Sequence, residues 1–302
     1  MTLRVPCPQG FDFPATVGVV RRGPADPLNV WDGVRWRRLF AADGSAFLLE
    51  AALDRGTRSP RDAAPRGLAV RRLEGAVRPQ IVRRLIGRIF GLDDPGPASR
   101  RRLPPDLRRL ISGHTGMLLP GFPSLFEALV QTVLGQQLHV LVANRLREGF
   151  VRTFGVRRER FGATYWAFPE PRRVAQARVG QIRKIGVSTV KAGAILAIAH
   201  SLEAGRLSED RLTGLAAGEA IAELSALPGV GRWTSEWVLL RALRRFEIVP
   251  AGDLAVRKAV TWALGAREVL TEQQVRDAAA AWAPYGGLLA YRLVAANRQA
   301  IG

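Results

Sequence analysis

The sequence predicts an α+β fold, with a β-rich N-terminal domain over residues 1–110 and a mainly α-helical domain over residues 111–302. Short apolar runs of strand-like composition fall in the first part of the chain. From Ser124 onward, apolar residues recur at helical spacing. Between the two, residues 93–105 hold four prolines, a glycine and three consecutive arginines, the composition of a linker.

In the N-terminal part, residues 15–20 and 46–50 are expected to form strands. Asp32-Gly33, between Trp31 and Trp36, is a turn signal joining two more strands. Residues 67–77 add a further strand, and a helix is expected over about residues 80–90.

The helical part opens with Ser124-Leu125-Phe126-Glu127, a capping box that satisfies free helix N–H groups. That helix is expected to run past Gln136 towards Phe150. Others are expected over residues 188–204, 218–226 and 232–245. A fifth starts at Asp253, with Val256, Val260, Ala263 and Leu264 on one face. Thr271 and Gln274 open a sixth. Pro284 lies in the first turn of a seventh, where Tyr285, Leu289, Leu293 and Ala296 share a face.

Composition bounds the function. The formal net charge is +19, which favours polyanions and nucleic acid first. Almost every basic residue is arginine, so base composition of the coding sequence is an equally good source of the excess. Cys7 is the sole cysteine, which excludes an internal disulfide, a cysteine zinc site and a four-cysteine iron–sulfur cluster. His114, His139 and His200 stand singly and read as ordinary core or surface residues. No membrane span and no signal-peptide segment stand out, so a soluble cytoplasmic protein is expected.

Chemistry concentrates in Leu227-Pro228-Gly229-Val230-Gly231-Arg232-Trp233-Thr234, and in Asp253, twenty residues beyond Trp233. Gly229 and Gly231 permit a tight hairpin and close approach of a ligand. The helix that follows begins with unpaired N–H groups and a partial positive charge, which together suit a phosphate oxygen. Leu227, Gly229, Val230, Gly231 and Thr234 are thus the candidate DNA-backbone contacts; a plain helix–turn–helix corner is the structural alternative. Asp253 fits the N-cap of the next helix. Beside a deoxyribose C1′, its carboxylate stabilises an oxocarbenium-like transition state and orients water.

These residues resemble the helix-hairpin-helix, Gly-Pro-Asp superfamily of DNA glycosylases. Leu134-Gly135-Gln136-Gln137, the run from Trp233 to Val238, and Trp282-Ala283-Pro284-Tyr285 are similar to the AlkA-type, 3-methyladenine DNA glycosylase II group. The resemblance covers roughly residues 115–300. It implies a helix-hairpin-helix glycosylase core behind the β-rich domain, and a cleft into which duplex DNA delivers a flipped base. Asp253 matches the catalytic aspartate. Trp233 stands where bifunctional relatives carry a nucleophilic lysine; an indole forms no Schiff base, so monofunctional hydrolysis is expected. Trp233 and Trp237 are candidate walls of the base pocket, Gln136 a candidate base contact, and Gln137 the wedge that fills the gap in the duplex. Aromatic faces suit electron-poor, often cationic alkylated purines.

Val294 and Ala295 depart from the group, which can carry aromatics at these positions. Tyr285, Tyr291, Phe11 and Phe13 are the aromatics available to compensate. The resemblance further implies excision of alkylated purines by a nucleoid-associated, cytoplasmic monomer. No cofactor is required, and a structural monovalent cation is expected at the hairpin. The rival is a helix-hairpin-helix protein that binds DNA or damage without catalysis.

Overall fold

The computed structural model describes residues 2–23, 25–54, 67–112 and 118–301; His114 and residues 55–66 of the N-terminal part lie outside them. Five strands form an antiparallel sheet among the described residues, in the order β1-β5-β4-β3-β2. They are β1 (Thr2–Val5), β2 (Val30–Trp31), β3 (Trp36–Ala42), β4 (Ser45–Leu53) and β5 (Leu68–Glu74). The Asp-Gly turn joins β2 to β3 as expected: Asp32 Oδ1 accepts the N–H groups of Val34 and Arg35 at 3.0 and 2.7 Å. The two-residue loop between β3 and β4, Asp43-Gly44, has positive φ at both positions, the backbone that matches strand twist.

Residues 15–20 are not a strand. They belong to helix α1 (Phe13–Val20), whose N-cap Asp12 accepts the N–H of Ala15. Phe13, Thr16, Val17 and Val20 are its buried residues, and their spacing follows the helical repeat. Helix α2 (Pro79–Phe90) packs with α1 and the sheet around Trp36, Phe13, Ile86 and Phe90. Phe13 meets Phe90 and Trp31 edge-on, which places Phe11 and Phe13 in this core.

The expected linker is a packed segment. It forms the short helices α3 (Pro97–Arg100) and α4 (Pro105–Leu110). Asp94 and the Ser99 hydroxyl hold the Arg292 guanidinium at 2.6 and 2.8 Å. Leu103, Leu107 and Ile111 pack into the core of the C-terminal helices. Proline content marked the absence of long helices here, and missed the apolar anchors between them.

Helix α5 (Leu125–Gly135) is the central helix of the molecule. Ser124 Oγ accepts the Glu127 N–H at 3.2 Å, but Glu127 does not return the bond. Its carboxylate pairs with Arg38 of β3 at 2.5 Å and accepts from Gln131 at 2.8 Å. Instead of running on towards Phe150, α5 stops, and α6 (Val140–Phe154) begins after four residues. Strands β6 (Val156–Arg160) and β7 (Ala163–Ala167) follow as a hairpin whose Tyr165 and Ala167 pack on Leu39 and Leu48 of the sheet.

Short helices α7 (Pro171–Ala175) and α8 (Val179–Arg183) lead to α9 (Thr189–Glu203), capped by Ser188. Helices α10 (Glu209–Gly214), α11 (Ala217–Ser225), α12 (Arg232–Ala242), α13 (Leu254–Ala263), α14 (Glu272–Ala280) and α15 (Gly286–Ile301) complete the domain. Thr271 and Gln274 form the reciprocal capping box expected of them. Leu264 is exposed because α13 ends before it, and Ala259 takes its place beside Val256 and Val260. Pro284 lies ahead of α15 rather than in its first turn. Among the described residues, no helix is long and apolar enough to cross a membrane.

Candidate active site

The hairpin between α11 and α12 is built around Gly229. Its φ of +73° is left-handed, and a Cβ there would stand 2.7 Å from the Ala194 Cβ on α9. Val230 is buried, and its N–H closes the turn on the Leu227 carbonyl at 3.1 Å. Leu227 is half-buried against the helical core. Gly231 is the N-cap of α12 and provides no side-chain cap; a Cβ at that position would meet nothing within 4 Å. The first-turn N–H groups of α12 therefore start an exposed, uncapped helix end of the kind that accepts an anion. The Thr234 side chain is buried, so only its backbone belongs to this surface, and the same holds for Val230.

Asp253 is the N-cap of α13. Its Oδ1 accepts the N–H groups of Ala255 and Val256 at 2.8 and 3.3 Å. Its Oδ2 accepts both indole N–H groups, from Trp233 at 3.0 Å and Trp237 at 3.1 Å. The two tryptophans sit four residues apart on α12 and so share a face. Trp233 is 36% exposed and Trp237 half-buried, which leaves aromatic surface open beside the carboxylate.

Gln136 and Gln137 occupy the break between α5 and α6 and part company there. Gln136 turns its amide to the hairpin, donating from Nε2 to the Gly229 carbonyl at 3.0 Å and to the Thr234 hydroxyl at 2.9 Å. Its own carbonyl accepts from Lys191 Nζ at 2.7 Å. The side chain thus braces the hairpin, a role that spacing alone does not reveal. Gln137 is exposed with φ +55°, a backbone that few non-glycine residues adopt. That turn is why a continuous helix fails here, and it lifts Gln137 out of the helical row. Leu138, Val140, Leu141 and Val142 continue the exposed surface.

A family model described as HhH-GPD superfamily base excision DNA repair protein matches residues 130–284, more than half of the chain. The chain belongs to that superfamily. It is 30% identical to a DNA-3-methyladenine glycosylase of Bacillus subtilis (strain 168), over 55% of each protein. It is 28% identical to DNA-3-methyladenine glycosylase 2 of Escherichia coli (strain K12), over 59% of this chain and 60% of the relative. The aligned chain thus spans somewhat over half the length of these relatives. A solved structure of a 3-methyladenine DNA-glycosylase from Archaeoglobus fulgidus superposes with a TM-score of 0.82 at 25% identity, covering 98% of both chains.

The matched span of this HhH-GPD protein contains the hairpin, both tryptophans, Asp253 and both glutamines, but stops short of α15 and excludes the N-terminal residues. Two parts of the site's surroundings therefore lie outside it. Tyr291 of α15 and Trp237 flank the same apolar cluster of Leu119, Leu240 and Leu288. Tyr285 instead packs with the C-terminal core, where Val294 is buried and Ala295 half-buried. Arg22 follows α1. It shares the Phe122 ring with Arg241, which lies eight residues beyond Trp233 on α12. Helical spacing from Trp233 and Trp237 reaches Arg241, a signal the sequence reading did not use; none joins Arg22 to it.

Among the described residues, no three His, Cys, Asp or Glu side chains gather in a metal-ligating group. His139 caps α6, its Nδ1 accepting the Leu141 N–H. Burial pushes the Cys7 thiol up to about 12, which keeps it unreactive at neutral pH.

Proposed function

We propose that this superfamily member is a monofunctional DNA glycosylase of the AlkA, 3-methyladenine DNA glycosylase II type. It binds damaged duplex DNA, flips an alkylated purine and hydrolyses its N-glycosidic bond, leaving an abasic site for base excision repair. One observation carries this reading: Asp253 is held by four N–H donors, two of them indoles with open aromatic surface beside it.

A carboxylate offers about four lone-pair sites, so four donors leave Asp253 little freedom to rotate or to bind water directly. It acts as a fixed negative charge. As the C1′–N bond breaks, its electron pair goes to the base, and positive charge grows on the sugar facing Asp253. Water then bonds to C1′ and gives its proton to solvent. Trp233 has no amine to attack C1′, so no covalent enzyme–sugar intermediate forms and the strand stays intact. The uncapped start of α12 holds a backbone phosphate, and Gln137 fills the gap left by the flipped base. The names of the curated relatives support the substrate class.

The same reading makes the protein a cytoplasmic, nucleoid-associated monomer that requires no cofactor. The carbonyls of Leu227 and Gly229 each accept one hydrogen bond and retain a second lone pair, which fits a structural monovalent cation at the hairpin.

Base release from methylated duplex DNA, wild type against Asp253→Asn, tests the proposal. Release by the wild type, at least ~100-fold less by the variant, and strand breaks only after alkali are expected. DNA binding without release from any of a panel of alkylated, etheno and deaminated bases selects the non-catalytic rival. A borohydride-trapped complex overturns monofunctional hydrolysis.

A further inference from the structure

At the opposite end of α5 from Gln136 and the hairpin, a groove of about 960 Å³ opens between the N-terminal sheet, the start of α2 and the start of α5. The length of α5, about 15 Å, separates the two ends. Phe40, Phe47, Ile81, Leu85 and Phe168 supply the apolar wall of the groove, with the first two rings stacked 5.2 Å apart. Arg72, Arg78 and Arg84 line it as well, and among the described residues none of the three side chains has an ion pair or a hydrogen bond. The acids beside them are engaged: Glu127 with Arg38, Glu170 with Arg172 and Glu209 with Arg88. Asp43, in the turn between β3 and β4, is the remaining carboxylate of the lining.

Helix α2 opens on this groove with charge of the wrong sign. Its N-cap is Arg78, which provides no side-chain cap, and its first turn holds no acid. A cation at the positive end of a twelve-residue helix is unfavourable, and a carboxylate arriving there relieves it. The wall adds a second unmet group. Arg38 is buried; its terminal nitrogens donate to Glu127 and to Asn29 Oδ1, and its buried Nε has no partner among the described residues.

We infer that this groove is a docking site for an extended, acidic peptide segment of a partner protein. In an extended chain successive side chains point to opposite sides, and those two apart lie about 7 Å from each other. Carboxylates on one side therefore reach the arginine rim while apolar side chains on the other side meet the phenylalanines. Arg78 and Arg84 are six residues apart on α2, about 9 Å along the axis, which suits a row of charges better than one compact anion. Duplex DNA has no apolar side chains to offer such a wall, and the hairpin lies at the far end of α5. The inference goes beyond the glycosylase reading and does not depend on it.

Random peptides displayed on phage, selected on the full chain and counter-selected on the Arg78→Gln, Arg84→Gln double variant, test the groove. The expected peptides interleave Asp or Glu with Leu or Phe. By fluorescence anisotropy they bind the double variant ~10-fold more weakly than the wild type. They bind Arg101→Gln, Arg102→Gln, a pair with the same charge loss outside the groove, as tightly as the wild type. All four arginines are exposed, so both variants are expected to melt like the wild type. No enrichment, peptides without acids, or equal weakening in both variants overturns the proposal. Loss of duplex DNA affinity by the groove variant alone, to the same extent as the peptide, reassigns the arginines to DNA and overturns it too. So does a dimer in sedimentation that only the groove variant dissolves, which gives the groove to a second copy of this chain.

Discussion

Asp253 divides its work between its two oxygens. One caps α13, and the other collects the indole N–H groups of Trp233 and Trp237. The capping role is legible in the sequence, because Gly252-Asp253 precedes an apolar periodic segment. The shared oxygen is not, since it depends on how α12 and α13 meet. The resemblance made the tryptophans candidate pocket walls; their hydrogen bonds to Asp253 emerge from the packing. Trp237→Phe keeps the ring and removes one donor. It is expected to lower kcat by ~10-fold with a smaller effect on KM, the size of a lost hydrogen bond to a charged group. Steady-state kinetics on a released base checks this; a change confined to KM assigns the indole to binding alone.

At the scale of elements, the hairpin holds one glycine that the fold requires and one that it does not. Gly229 is demanded by the protein itself: its φ is left-handed and Ala194 fills the space beside it. Gly229→Ala is expected to destabilise the fold by about 1–2 kcal/mol, measured by urea denaturation. Gly231 has ordinary φ and open space, so nothing in the protein requires it. Gly231→Ala is expected to melt like the wild type and bind duplex DNA at least ~5-fold more weakly, because a methyl group intrudes where a phosphate approaches. Equal DNA affinity removes the hairpin from the interface. The sequence marked this element because glycine and proline punctuate strongly. It misled at α1, where β-branched residues outweighed the helical spacing of Phe13, Thr16, Val17 and Val20. It misled again at Gln137, where the left-handed turn falls on a residue other than glycine.

Across the whole molecule, buried ion pairs tie the N-terminal part to the helices. Arg38 on β3 meets Glu127 on α5, and Asp94 meets Arg292 on α15. Both pairs are nearly inaccessible, so breaking one leaves a charge that water cannot reach. Glu127→Gln is expected to lower unfolding stability by about 3 kcal/mol, with the Arg38→Met, Glu127→Leu double variant recovering most of it. Chemical denaturation of the three proteins checks both statements. The α+β class was legible, because strand-like and helical compositions are segregated along the chain. The joints were not, since Arg38 and Glu127 lie 89 residues apart and look like ordinary surface charges.

Helix α12 begins at the hairpin, passes both tryptophans beside Asp253 and reaches Arg241 near its end. Ten residues of α-helix separate Gly231 from Arg241, a rod of about 15 Å that scarcely stretches. The protein thereby carries a fixed gauge. On the proposed glycosylase reading, the end at Gly231 meets the strand and the indoles two and six residues on meet the extruded base, so the interval between the two contacts is set by the helix and not by the DNA.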